Sequence, residues 1–305
     1  MRGITNTPNG PAPATIGELP EPNPAPNEAV IGVKAFSLTR GEQTLKRIRP
    51  EGWRPGQDVA GIVLKAAADG SGPKEGARVV ALLEWHGWAE RAAMPVSRLA
   101  VIPDSVSFAE AAALPIAGLT ALRTLRHGGP LLGQRVLITG AAGGVGNLAV
   151  QLAVKAGAKV TAVASGERGK AVTALGAQEV VGDIAQASGK YRLVLESAGG
   201  ASLKAALGLL EPKGTVVISG NSSGEETTLS FRDFGAANNS RIQAFHSYAS
   251  DPEEMLAPDL KLLATLVGDG ALKPQIEEYS WHDFAKVTTA LRDRKVQGKA
   301  VFRID

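Results

Sequence analysis

Gly143, Gly144 and Gly146 stand in "VLITGAAGGVGNLAVQLA", between a short apolar run and an apolar helical pattern. Residues without a Cβ at that place let backbone N–H groups and the start of the next helix close on a pyrophosphate. Gly143 would admit the phosphates, Gly146 would let the helix pack tightly on the strand, and Val145 lies between them in the same turn. The first glycine of the usual G-x-G-x-x-G pattern is replaced by Ala141, with Gly140 just before it. A glycine cluster alone also fits a plain tight turn. Its position after one apolar run, before a helical pattern and ahead of a second run, "KVTAVA", gives the dinucleotide reading its specificity. About 20 residues on, an NAD site places an acid for the ribose 2′-hydroxyl. Here the chain reads Val163-Ala164-Ser165-Gly166, with Arg168 and Lys170 close behind. A hydroxyl beside a guanidinium suits a 2′-phosphate, so these residues predict NADPH. Ser165 equally fits a helix N-cap, and Glu167 leaves a ribose contact open.

The elements that must hold this turn alternate from Gln134 to about Phe245. "RVLITG", "KVTAVA", "EVVG", "YRLVLESAG", "TVVISG" and "RIQAFHSY" read as strands. "NLAVQLAVKAG", "GKAVTALGA" and "ASLKAALGLLEPKG", the last closed by Pro212 and Gly214, read as helices. That alternation predicts right-handed βαβ units and a parallel sheet covered on both faces. The first hundred residues carry short apolar runs among prolines and glycines and read as mainly β. "SFAEAAALPIAGLTALRTLRHGG" reads as one helical stretch up to Gly128-Gly129. Two helical patterns, "DLKLLATLVGDG" and "WHDFAKVTTALRDRK", and a strand, "KAVFRI", complete the chain.

Bulk composition narrows the function classes. With 305 residues the chain can bury a large core without staples. It contains no cysteine, which removes thiolate metal sites, disulfides and cysteine nucleophiles. The net charge of +3 comes from dispersed residues, and "LKRIRPEGWRP" is too short and broken to form a nucleic-acid patch. No apolar h-region opens the sequence and no apolar run has the length of a membrane helix, so the expectation is a cytoplasmic protein.

"LPIAGLTALRTL", "VLITGAAGGVGNLAVQLA" and "ISGNSSG", with "PGQDVAGIV" and "GKAVFRI" toward the two ends, resemble the zinc-independent quinone oxidoreductases of the medium-chain dehydrogenase/reductase superfamily, the zeta-crystallin group. The resemblance implies an α/β chain in which a GroES-like β-rich catalytic domain, from residues 1–115 and 248–305, receives an inserted Rossmann NADP-binding domain at 116–247. It implies hydride transfer from NADPH in the cleft between them, to a quinone or an α,β-unsaturated carbonyl, in a homodimer. Zinc-dependent relatives use cysteines and a Gly-His-Glu segment. The matching residues here are Gly56-Gln57-Asp58, and the four histidines have no ligand spacing, so no metal is expected. Carried over residue by residue, Thr120 matches the threonine beside the nicotinamide. Asn221 and Phe245 lie at carboxyl ends of strands where ligands bind, and Ser197 to Gly199 line the adenosine side. "SLTRGEQTLKR" departs from the pattern: Thr39 stands where many relatives have asparagine, Thr44 near where they have tyrosine, and Glu42 where they have aspartate. Protonation of the product then falls to solvent or to a donor such as Thr39. Trp85, His86 and Trp88 are candidates for a substrate wall as well as for packing.

Three other readings remain. "GNSSG" formally fits a G-x-S-x-G nucleophile elbow, but "EETTLSFRDFG" behind it lacks the helical period that elbow needs. An enoyl-thioester reductase would share the fold and the hydride chemistry, with "LKRIRPEGWR" supplying cations for an acyl-CoA or acyl-carrier phosphate. A non-catalytic NADPH-binding protein would account for the altered segment around Thr39 and Thr44.

Overall fold

The computed structural model describes residues 1–8, 13–235, 237–247 and 256–305. Two compact units make up the chain, Met1–Leu119 with Ser250–Asp305, and Thr120–Ala249. In the first unit, β1 (Arg2–Asn6) and β2 (Ala14–Glu18) form a hairpin. Strands β3 (Glu28–Leu38), β4 (Asp58–Lys65), β5 (Arg78–Leu82), β6 (Arg91–Pro95) and β7 (Leu99–Val101) belong to a larger sheet. A helix the sequence reading did not anticipate, α1 (Arg40–Ile48), follows β3. Its composition is mostly polar, so no apolar period announces it. Its start is fixed by a capping box, in which Thr39 Oγ1 accepts from the Glu42 amide and the Glu42 carboxylate accepts from the Thr39 amide.

The stretch from Ser107 onward is two helices rather than one, α2 (Phe108–Ala112) and α3 (Pro115–Arg126). Pro115 disfavours helical backbone in the residue before it and suits the first helical position, so the chain breaks and restarts there. Alternating elements follow: β8 (Arg135–Ile138), α4 (Gly144–Lys155), β9 (Lys159–Val163), α5 (Glu167–Thr173), β10 (Glu179–Val181), β11 (Tyr191–Glu196), α6 (Gly200–Gly208), β12 (Leu210–Ile218) and β13 (Arg241–Ala244). Helix α6 stops at Gly208. Pro212 and Gly214, read from sequence as the helix stop, lie inside β12, where the pairing register with β11 shifts between Tyr191 and Leu193. The last expected strand of this series is realised at Arg241–Ala244, and Tyr248 lies outside the described residues. The return segment adds α7 (Ala257–Gly268), β14 (Ile276–Ser280), α8 (Phe284–Arg292) and β15 (Lys299–Arg303).

In the second unit all neighbouring strands are parallel, in the order β10-β9-β8-β11-β12-β13. Strand order reverses between β8 and β11, which sets a crevice beyond their carboxyl ends, where open α/β sheets bind ligands. Its core combines Leu137, Tyr191 and Val194 with Leu203, Ala206 and Leu207 of α6, all buried. The sheet of the first unit runs β14-β15-β3-β4-β5-β7, with β6 also on β3. Antiparallel pairing of β15 with β3 places Phe302 opposite Phe36, so residues from both ends of the chain share one core. Phe36, Trp88, Phe284 and Phe302 stack there with ring centroids 4.9–5.5 Å apart along the Trp88–Phe284, Phe284–Phe302, Phe36–Phe302 and Phe36–Trp88 pairs. Trp88 is therefore a core residue, 1% exposed, rather than part of a substrate wall.

Candidate nucleotide-binding site

The turn after β8 is shaped by two glycines with different duties. Gly140 takes φ of +59°, and its carbonyl accepts from the Gly143 amide at 2.9 Å, closing the loop. Gly143 is the N-cap of α4, in extended conformation (φ −83°, ψ 174°), with no side-chain cap. The first-turn amides, which include those of Gly144, Val145 and Gly146, thus have no intrahelical acceptor, and the positive end of α4 faces outward. A Cβ at Gly143 would meet only the Gly140 carbonyl oxygen, at 3.2 Å, and otherwise project into open space. At Gly146 a Cβ would strike the Gly140 carbonyl oxygen and lie 2.6 Å from the Ala141 Cα. Gly146 thus lets α4 pack on the turn, whereas Gly143 clears the space beyond it. A phosphate fits the arrangement, since a side chain at Gly143 would occupy the place an anion needs.

At the end of β9, Ser165 is exposed and Gly166 (φ +60°) is the N-cap of α5, so the Ser165 hydroxyl is not spent on the cap. Glu167 pairs with Lys170 at 2.8 Å on the same helix. Arg168 is exposed and makes no ion pair among the described residues. The nearest acid is thus engaged along its own helix, while the guanidinium keeps its donors.

The turn after β11 rests on a residue that motif reading passed over. Glu196 is fully buried. Its Oε1 accepts from the Ser202 hydroxyl at 2.8 Å, the Ala198 amide at 3.0 Å and the Thr139 hydroxyl at 3.2 Å, and its Oε2 accepts from the Gly199 amide at 2.9 Å. Ser197 donates its amide to Thr139 Oγ1 at 2.9 Å and lies against Gly140, so the ends of β8 and β11 are tied together. Gly199 (φ +78°) abuts the Asn221 amide group, and Asn221 Nδ2 donates to the Glu225 carbonyl at 3.2 Å. Phe245 follows β13, its amide donating to Ile218 and its ring 6.4 Å from His127. Thr120 is buried on α3. The acidic end of "VLE" is the one sequence signal for Glu196, and nothing local says that the carboxylate turns inward.

Thr39 belongs to the first unit. Its hydroxyl accepts from the Glu42 amide and donates to Glu42 Oε2 at 3.0 Å, so it is engaged as a cap. Beneath it lies a buried charged network. Glu42 Oε1 accepts from the Gln57 amide at 3.0 Å, and Asp58 Oδ2 holds Lys299 Nζ at 2.8 Å and the Ser37 hydroxyl at 2.6 Å. Burial, and then the neighbouring Asp58 charge, push the Glu42 carboxyl up to about 8. Burial likewise pulls the Lys46 ammonium down to about 8, with Nζ 4.7 Å from the Phe284 ring centre and no hydrogen-bond partner among the described residues. Beyond α1, Arg49 lies over Trp53 and Trp85, which meet edge-on at 5.1 Å. Among the described residues no group of three or more His, Asp or Glu is placed to hold a metal ion. No helix among them is long and apolar enough to cross a membrane.

Residues 144–265 match the family described as zinc-binding dehydrogenase. A chloroplast envelope quinone oxidoreductase homolog of Arabidopsis thaliana is 39% identical over 180 residues, which cover 54% of this chain and 55% of that protein. The chain thus spans about half the length of this relative. Among solved structures, a quinone oxidoreductase of Pseudomonas syringae pv. Tomato is 27% identical, with a TM-score of 0.87 and 99% of both chains covered. The Escherichia coli quinone oxidoreductase complexed with NADPH is 24% identical, with a TM-score of 0.87 and all of both chains covered, a likeness of fold.

Proposed function

We propose, from its similarity to quinone oxidoreductases, that this chain belongs to the zinc-independent quinone oxidoreductase group of the medium-chain dehydrogenase/reductase superfamily and transfers hydride from NADPH to a quinone or an α,β-unsaturated carbonyl. The observation that carries the reading is the uncapped start of α4 behind Gly143, beside a β9 end with Arg168 and no acid free to take the ribose. NADPH is also what the Escherichia coli neighbour holds.

In this reading the first-turn amides of α4 hold the pyrophosphate, and Ser165 with Arg168 holds the 2′-phosphate. Gly143 keeps that space clear. Ser197 and Gly199 floor the site beside the β8–β11 switch point, Asn221 and Phe245 edge it, and Thr120 borders the nicotinamide. The bound cofactor supplies the hydride, and the chain supplies orientation and a fixed place for the charges. Thr39 orders the start of α1, and its engagement with Glu42 leaves product protonation to solvent. The zinc-free part of the reading rests on the donor set: Asp58 is taken up by Lys299 and Ser37, and its neighbour is Gln57.

Strand β13 is the exposed edge of its sheet, with Ile242 on it and Phe231 exposed nearby in sequence, a surface suited to pairing with a second copy. We assign the chain to a homodimer on that basis, and propose the cytoplasmic location that the sequence leads us to expect; sedimentation and cell fractionation check the two points.

The test is NADPH consumption by purified protein with quinones, alkenals and enoyl-CoA thioesters, with and without EDTA. Turnover of quinones or alkenals, unaffected by EDTA, is the expected result. Enoyl-CoA as the sole acceptor would move the substrate to a thioester. Tight NADPH binding without turnover would make the chain a binding protein, and loss of activity with EDTA would overturn the zinc-free chemistry.

A further inference from the structure

Two helices begin at the carboxyl ends of adjacent strands of the second unit, α4 after β8 and α6 after β11, and their starts differ in one respect. Gly143 leaves the start of α4 without a cap. At α6 the N-cap, Gly199, also has no side chain, but Glu196, the last residue of β11, turns its carboxylate back onto the Gly199 and Ala198 amides, just ahead of the first turn. The same carboxylate takes the hydroxyls of Ser202, one turn into α6, and of Thr139, at the end of β8. It is fully buried and has no cationic partner among the described residues. Burying a lone carboxylate is costly unless its oxygens are satisfied. Four hydrogen bonds and the positive end of a helix meet that need here.

We propose that Glu196 is the positioning residue of the nucleotide site: its carboxylate locks the β8 and β11 turns in register, and so fixes the glycine turn that opens α4. The lock runs through atoms that border the glycine turn. Thr139 Oγ1, held by Glu196, accepts the Ser197 amide, and Ser197 Oγ donates back to the Thr139 carbonyl at 3.3 Å. Ser197 then packs against Gly140, the residue whose carbonyl closes the loop before α4. On the far side, the Ser222 and Ser223 amides donate to the Ser197 and Ala198 carbonyls, so the Asn221 loop inherits the same alignment. A glutamine at 196 keeps the shape but points an NH2 group at amide or hydroxyl donors, so one side of the clamp must open.

This inference rests on the proposed NADPH site, and its test separates the two. Wild-type protein is first titrated with NADPH and NADH by fluorescence. Binding of neither would sink the cofactor reading and this inference with it. With binding established, Glu196→Gln is expected to raise the Kd and KM for NADPH at least tenfold, with kcat at saturating NADPH within about twofold of wild type. Leu207→Ala, which deletes buried volume from α6 in the core of the same unit, serves as the control. It is expected to lower Tm by at least as much and leave the Kd for NADPH within twofold. NADPH binding by Glu196→Gln equal to wild type, or an equal loss of binding in Leu207→Ala, would overturn the role. Should Glu196→Gln fail to fold, Thr139→Val and Ser202→Ala each remove one donor from the same carboxylate. Each is expected to raise the Kd two- to fivefold, and an unchanged Kd in both would overturn the role equally.

Discussion

Substituting Gly143 and Gly146 separately should divide binding from folding. Gly143 has φ of −83° and ψ of 174°, an extended backbone that a β-branched residue adopts without strain. A Cβ there has one neighbour, at 3.2 Å, and otherwise enters open space. Gly143→Val should therefore change stability by no more than about 0.5 kcal/mol, the range of surface substitutions. Two branched methyls would then stand where the phosphate belongs. We expect the Kd for NADPH to rise at least a hundredfold, about 2.7 kcal/mol. Gly146→Ala reverses the pattern. Its Cβ meets backbone atoms of Gly140 and Ala141, which cannot swing aside, so α4 must lift from the turn. Overpacking of that kind costs about 1–3 kcal/mol, which lowers Tm by several degrees, at roughly 2–4 °C per kcal/mol for a large domain. The assay is thermal melting with and without NADPH, alongside a fluorescence titration. At a concentration a hundred times its wild-type Kd, the cofactor stabilises wild type by about 2.7 kcal/mol, and it should stabilise Gly143→Val by no more than about 0.4 kcal/mol. A Gly143→Val protein that binds NADPH like wild type would refute the phosphate assignment. One that loses both binding and several degrees of Tm would show Gly143 to be a folding residue.

Arg168→Ala should raise the KM for NADPH at least tenfold and that for NADH less than twofold, because the guanidinium would lose only the 2′-phosphate; equal effects would end that assignment. The Glu42 carboxyl, held at about 8 in the fold against an ordinary 4.5, stays protonated between those values while the unfolded chain is ionised. The folded state then binds more protons, so stability falls as pH rises from about 4.5 to about 8. Lys46 acts oppositely, and stability recovers as pH rises from about 8 toward 10.5. Glu42→Gln should flatten the decline between pH 5 and pH 8, worth a few kcal/mol at about 1.4 per pH unit. Urea melts of both proteins at the two pH values check this, and parallel profiles would refute it.

Local chemistry was enough to determine the strand–turn–helix around Gly140–Gly146. Glycine spacing, the apolar run before it and the helical period after it all lie within eighteen residues and need no distant partner. The parallel sheet of the second unit was legible for the same reason, since its alternating runs differ in period. Other features depended on where charged and polar groups are buried, which no periodicity records. Helix α1 hides Glu42 and Lys46 on its inner side, so its sequence reads as a solvated segment. What receives Glu42 is the Gln57 amide, and Asp58, next in the chain, is held by Lys299, 241 residues away. Thr39 reads as a possible proton donor until Glu42 folds back onto it. Glu196 reads as an ordinary strand end until the Thr139 hydroxyl and two amides of the next turn converge on its carboxylate. Sequence alone therefore determined the glycine turn at which we propose the phosphate to lie. Only the tertiary structure decided how that turn is tied to the end of the next strand, because that tie rests on a buried carboxylate and the donors that fold around it.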